Sequence, residues 1–224
     1  MRTDGNRDLD FLLDEIREEV WATRQLTGRP VLDERVMAAL REVPRHSFVP
    51  DESRHSAYAN HPLPIGHGQT ISQPYIVALM TDLIRPRPED VVLEIGTGSG
   101  YQAAILSRLV KRVYSMEIVE ELAREARARL QHLGYDNVEV RSGNGRLGWP
   151  EHAPYDAIIV AAAASRIPPA LIGQLRPGGT LVIPVGEQHM AQDLRVIRKA
   201  GSGRVEERSV LPVAFVPLTG TVQD

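Results

Sequence analysis

The sequence predicts an α/β fold: a doubly wound, mostly parallel sheet, with helices ahead of it and antiparallel strands closing it. Three observations predict it. From Tyr75 to Gly186, short apolar runs alternate with helix-length amphipathic segments; a glycine-rich turn follows the first run; and an acidic residue ends the second. Strands alternating with helices call for a parallel sheet covered on both faces.

The elements follow in order. Leu9, Leu12, Leu13, Ile16 and Val20 recur at three- and four-residue intervals, which marks one face of a helix to about Trp21. A second helix is expected from about Asp33 to Val43, with Val36, Met37 and Leu40 inward and Pro44 ending it. Pro50 to Pro74 is dense in Pro, Gly, His and Ser, shows no sustained period, and reads as a long loop of the kind that carries function. The rhythm then sets in: a helix to about Ile84, a buried strand Val91–Ile95, a helix to about Leu109, a strand Val113–Glu117 and a helix Glu120–Leu133. Strands Val138–Arg141 and Ala157–Val160, a helix Pro168–Leu175 and a strand Thr180–Pro184 complete it. Segments around Leu194–Lys199 and Val205–Val216 read as the closing antiparallel strands.

A chain of 224 residues supports one sizeable core, so residues 1–224 are read as one domain. Within it, 1–74 supply N-terminal helices and a functional loop, 75–186 a cofactor-binding core, and 187–224 the closing strands. A hydrophobic share of 42% and a charged share of 25% exclude disordered and fibrous classes. A net charge of -3 gives no general attraction to phosphate backbones, so nucleic acid is not an expected partner. With no cysteine there is no disulfide, no thiolate metal site and no nucleophilic thiol, and the seven histidines show no metal-ligand spacing. The charged start Met1–Asp10 and the lack of any run approaching about 18 apolar residues lead to the expectation of a cytoplasmic protein without membrane contact.

In the run V-L-E-I-G-T-G-S-G-Y-Q, Gly96, Gly98 and Gly100 occupy the first strand-to-helix turn, where missing side chains let a ligand approach the backbone. Glu117 ends the next strand, the position from which a carboxylate accepts from ribose hydroxyls. A dinucleotide fingerprint, G-x-G-x-x-G, would need glycine where Tyr101 stands. The pattern G-x-G-x-G preceded by Glu94 points instead to S-adenosylmethionine, which has an amino-acid tail and no pyrophosphate. Tight packing of helix on strand accounts for Gly100 but not for the whole set.

The acceptor can be read from what is missing. An attacking amine or hydroxyl needs a polar group to orient or deprotonate it, and enzymes that methylate amino groups often carry an N-P-P-Y type motif after the fourth strand. That position here reads Val160-Ala-Ala-Ala-Ala164. A carboxylate, with an ordinary pKa near about 4, is already an anion and needs only to be held dry and in line. In the loop, Ser72 reads first as a helix N-cap ahead of Pro74, and second as a donor to an acceptor carboxylate.

Six segments carry a resemblance to a known family: Val43–Pro50, Leu63–Pro74, Leu93–Gln102, Ala153–Val160, Gln174–Gly186 and Phe215–Leu218. The chain resembles the protein-L-isoaspartate (D-aspartate) O-methyltransferases, with G-Q-T-I-S-Q-P the most diagnostic stretch. The resemblance implies a Rossmann-like methyltransferase fold and methyl esterification of isoaspartyl and D-aspartyl carboxylates, followed by spontaneous succinimide formation that starts repair. It implies S-adenosyl-L-methionine as cofactor, S-adenosyl-L-homocysteine as product, no metal, damaged proteins and peptides as substrates, and a monomeric enzyme. Ser72 is the implied active-site serine; Thr70 and Ile71 lie beside the cofactor. Glu94, Gly96, Gly98 and Gly100 surround its methionine portion, Glu117 and Ile118 meet ribose and adenine, and Thr219 is a further contact. Where the family has G-D-G at the adenine, this chain has Gly143, Asn144 and Gly145, with Asn144 and Gly145 as contacts. Ala161 is a second departure, where the family favours Thr or Gly. Other readings are a methyltransferase for RNA or a small molecule, a binding module without catalysis, and esterification of normal aspartate in a dedicated peptide.

Overall fold

The computed structural model describes residues 4–187 and 190–220; residues 1–3, 188–189 and 221–224 of the expected organisation lie outside the described residues. Helix α1 (Asp4–Thr27) buries Leu12, Leu13, Ile16 and Val20 and runs beyond the end expected at Trp21. Its last turns add no buried apolar side chain, Leu26 being 58% exposed, so the stripe ends before the helix does. Helix α2 (Glu34–Glu42) is N-capped by the Asp33 side chain, which accepts from the Arg35 N–H.

The stretch read as an irregular loop is ordered. It contains a 3-10 turn, Asp51–Ser56, and a hairpin of β1 (Leu63–Gly66) and β2 (Gln69–Ile71); a further 3-10 turn, Arg45–Phe48, precedes it. Strands this short show no periodicity. The signal lay in the turn: His67 and Gly68 both take positive φ, 52° and 70°, as a two-residue hairpin turn requires.

Helix α3 (Pro74–Leu83), strand β3 (Val91–Ile95), helix α4 (Tyr101–Ser107), strand β4 (Arg112–Glu117), helix α5 (Glu120–His132) and strand β5 (Val138–Ser142) follow the expected rhythm. Strand β6 (Tyr155–Val160), helix α6 (Pro169–Gln174) and strand β7 (Leu175–Val185) continue it. Strand β7 starts five residues before the expected Thr180, because Arg176-Pro-Gly-Gly179 is taken up as an irregularity between the Tyr155 and Ala157 pairings and does not break the strand. Strand β8 (Gln192–Lys199) pairs antiparallel with β7, and β9 (Val205–Val213) with β8. The chain leaves the sheet after Val213, short of the expected Val216, and crosses the end of β6. There Ala163 donates to Val216 and Leu218 donates back to Ala163.

The sheet order is β5-β4-β3-β6-β7-β8-β9, parallel through β7. Its two faces build two cores. Val92, Val113 and Ile159 meet α1 to α5, whereas Leu93, Ile95, Ile158 and Val160 meet Trp149 and α6. The chain winds from β3 out to β5 and then returns to β6 on the other side of β3, so the strand order reverses between β3 and β6. A crevice opens at the carboxyl ends of strands at such a reversal.

One buried carboxylate ties the N-terminal segment to this core. Asp82 on α3 accepts from Arg29 Nε and from the Asp33 N–H at 2.8 Å, and is 1% exposed. Asp82→Ala strands both donors and is expected to lower stability by roughly 3 kcal/mol. Chemical denaturation checks this, and a loss under about 1 kcal/mol contradicts it.

Candidate active site

The crevice is formed first by the glycine turn. Gly96, Gly98 and Gly100 have φ of 92°, 53° and 90°, conformations that side-chain-bearing residues rarely adopt. Gly96 and Gly98 bare the backbone to the cavity. Gly100 does not: it starts α4, and a Cβ there would come within 3.1 Å of Leu130, so packing against α5 explains it. Glu117 is nearly buried and braced, its carboxylate accepting from the Gly98 N–H at 2.8 Å and from the Val119 N–H at 3.0 Å.

Glu94 lies beneath this turn, fully buried and outside the cavity wall, where it can reach a ligand only through the turn it supports. It accepts from Ser115, whose hydroxyl also pairs with Thr97 Oγ1 at 2.6 Å. Its Oε1 has no partner among the described residues. Burial raises its pKa to about 8; the Ser115 bond opposes the rise and nearby Glu117 adds to it. Glu94 therefore supports the turn as a largely neutral acid.

A second, wider cavity of about 930 Å³ adjoins the first. Gln73, Tyr75, Gln192, the Leu211–Pro217 segment and Glu19 line it, and Glu19, whose pKa burial raises, is its one carboxyl side chain among the described residues. Thr70, Ser72, Ala161, Val216 and Pro217 belong to both cavities and form the wall between them. Ser72 is half-buried and is not the helix cap: Gln73 occupies that position, and the Asn60 side chain accepts from the Tyr75 N–H at 3.0 Å. The Ser72 hydroxyl forms no hydrogen bond among the described residues, whereas its carbonyl accepts from Arg45 at 3.0 Å.

Of the residues the sequence singled out, Thr70, Ile71, Ser72, Gly96, Gly98, Glu117, Ile118, Gly145 and Thr219 line the first cavity. Glu94, Gly100 and Asn144 do not. Asn144 is half-buried, and its Oδ1 accepts from the Arg146 N–H at 3.0 Å, capping a 3-10 turn. Gly145 is required by space, since a Cβ would lie 2.2 Å from Ile95 Cγ2. Sequence reasoning missed the residues that hold the loop: Arg45, Asn60, Gln73 and Glu19. The Glu19 carboxylate on α1 takes amide donors from Asn60 at 2.8 Å and Gln73 at 3.0 Å. No spacing in the sequence links residues so far apart.

The donor set fits S-adenosylmethionine: bare backbone at Gly96 and Gly98 suits an amino-acid tail, and a braced carboxylate at the end of β4 suits a ribose. Among the described residues, no cluster of His, Asp or Glu could hold a metal ion. Fold and site together define an S-adenosylmethionine-dependent methyltransferase. The family model for protein-L-isoaspartate(D-aspartate) O-methyltransferase matches residues 18–223. The chain is 62% identical over 209 residues to the protein-L-isoaspartate O-methyltransferase 2 of a Polaromonas species, covering 93% of this chain and 99% of that one. It is 58% identical to protein-L-isoaspartate O-methyltransferase 1 of Cupriavidus necator, covering 92% and 80%. Among solved structures, a protein-L-isoaspartate O-methyltransferase aligns with TM-score 0.79 and 27% identity over 91% of this chain and 66% of that one. A Plasmodium falciparum structure of that description, in complex with S-adenosyl-L-homocysteine, aligns with TM-score 0.72 and 25% identity over 92% and 97%. The chain belongs to the protein-L-isoaspartate (D-aspartate) O-methyltransferase family.

The state of Glu94 has a measurable consequence. Its folded-state pKa, about 8, lies above the ordinary 4.5, so the native protein binds the extra proton. That contribution to stability is full below the ordinary value and is lost as pH rises toward the folded value. The expected result is that Glu94→Gln flattens the decline in stability between about pH 5 and pH 8, measured by denaturant unfolding. An unchanged decline contradicts a neutral Glu94.

Proposed function

We propose that this chain transfers the methyl group of S-adenosylmethionine to the free carboxylate of L-isoaspartyl, and D-aspartyl, residues in damaged proteins and peptides. The observation that carries this reading is the wall between the two cavities. Thr70, Ser72, Ala161, Val216 and Pro217 form it, and none of them titrates near neutral pH. Nitrogen and alcohol acceptors need a group that takes or orients a proton at that wall. A carboxylate arrives ionised and needs a dry, fixed seat.

When bound, S-adenosylmethionine supplies an electrophilic methyl carbon. The chain's own residues have the following roles in this reading. The Gly96 and Gly98 backbone, with Thr70 and Ile71, holds the methionine portion; Glu117 accepts from the ribose; Ile118 and Gly145 flank the adenine; Thr219 lies at the rim. Ser72 Oγ, which has no partner among the described residues, donates to the acceptor carboxylate and orients it. Ala161, Val216 and Pro217 keep water from that oxygen. The wider cavity is lined by Tyr75, Ile76, Leu211, Val213 and Phe215, a surface suited to a polypeptide segment. A monomeric enzyme is part of this reading.

The test is methyl transfer from labelled cofactor to paired peptides that differ only in isoaspartate or aspartate. Alkali-labile label on the isoaspartyl peptide alone is expected; alkali-stable label, or equal labelling of both, contradicts the reading. In the same assay Ser72→Ala is expected to lower turnover roughly 10- to 100-fold, with S-adenosylhomocysteine affinity retained.

A further inference from the structure

Arg45 heads the fully buried side chains, with 0% exposure. Its partners are all carbonyls. Nη1 donates to Ala57 at 2.6 Å, and Nη2 donates to His61 at 3.2 Å and to Ser72 at 3.0 Å. Nε has no partner, and no carboxylate lies within ion-pair distance among the described residues. Burial lowers its pKa to about 10, so the group still carries its charge at neutral pH. A buried cation without a counter-charge is among the more costly features a fold can keep.

Its location gives that cost a purpose. The guanidinium carbon is 5.8 Å from the centre of the Tyr101 ring, and Tyr101 lines the first cavity. The Ser72 carbonyl it holds belongs to the peptide unit whose side chain forms the wall between the cavities. The group that completes the site, on the reading above, is an anion. We propose that Arg45 is a positioning residue for the acceptor: it pins the Ser72 peptide unit from behind, and its uncompensated positive charge draws the isoaspartyl carboxylate to the wall in front. It touches neither the cofactor nor the substrate and acts through Ser72 and through its field.

This inference rests on the esterification reading, and the experiment keeps the two apart. Wild type, Arg45→Met and Arg45→Lys are compared with an isoaspartyl peptide for KM and kcat, and with S-adenosylhomocysteine for Kd by calorimetry. Methionine keeps much of the volume without the charge; lysine keeps the charge without the fork. For Arg45→Met the expected result is a peptide KM raised by about tenfold or more and a cofactor-product Kd within about twofold of wild type, with a melting temperature lowered by the carbonyls left without a donor. Arg45→Lys is expected to recover most of the KM while kcat stays low, because an ammonium lacks the planar fork that holds the Ser72 carbonyl together with those of Ala57 and His61. Should Arg45→Met fail to fold, Arg45→Lys decides: wild-type KM with depressed kcat supports the proposal, and equal loss of KM, kcat and cofactor affinity overturns it. Peptide KM and kcat unchanged in Arg45→Met also overturn it. A wild-type protein that leaves the isoaspartyl peptide unmethylated overturns the esterification reading instead.

Discussion

The site depends on the reversal of winding beside strand β3. The chain runs outward through β4 and β5, returns to β6 on the opposite side, and leaves a crevice at the end of β3. The three positive-φ glycines at that end are the local answer to this constraint, and glycine adopts such angles at the least steric cost. Glu117 then fastens the turn through the Gly98 N–H, so the carboxylate expected to meet a ligand also holds the backbone that meets it. Preorganisation at this end is built into the sheet.

The acceptor side is built differently. It stands on segments outside the sheet: the hairpin loop, α1 and the C-terminal crossing from Ala214 to Thr219. Their relative placement is held by polar bonds that span long stretches of chain, with Glu19 taking Asn60 and Gln73, Arg45 taking Ser72, and Ala163 pairing with Val216 and Leu218. Such bonds are directional, and each leaves a costly orphan when one partner is removed. The apolar wall between the cavities is thus positioned by a polar scaffold around it.

This division explains what was legible in the sequence. The succession of strands and helices along the chain, the glycine turn and Glu117 follow from local period and spacing, so they could be read off. The β1–β2 hairpin could not, because strands of three and four residues carry no period, although the His67–Gly68 turn was a sign of it. Ser72 was read foremost as a helix cap, but the cap position falls one residue later and Asn60 serves the helix start from another segment. Glu94 and Gly100 sit at motif positions yet face the packing, and Asn144 caps a turn, since a motif gives the backbone position and neighbouring elements decide which side is open. Arg45 and Glu19 gain their roles only through contacts with residues far along the chain.

The central claim is that no proton moves while the methyl group does, because the acceptor oxygen enters already ionised and the wall holds no base. The solvent deuterium isotope effect on the single-turnover rate of methyl transfer to an isoaspartyl peptide tests this most directly. The account predicts a ratio of about 1. A ratio of about 2 or more, from a proton in flight to a side chain, would contradict it.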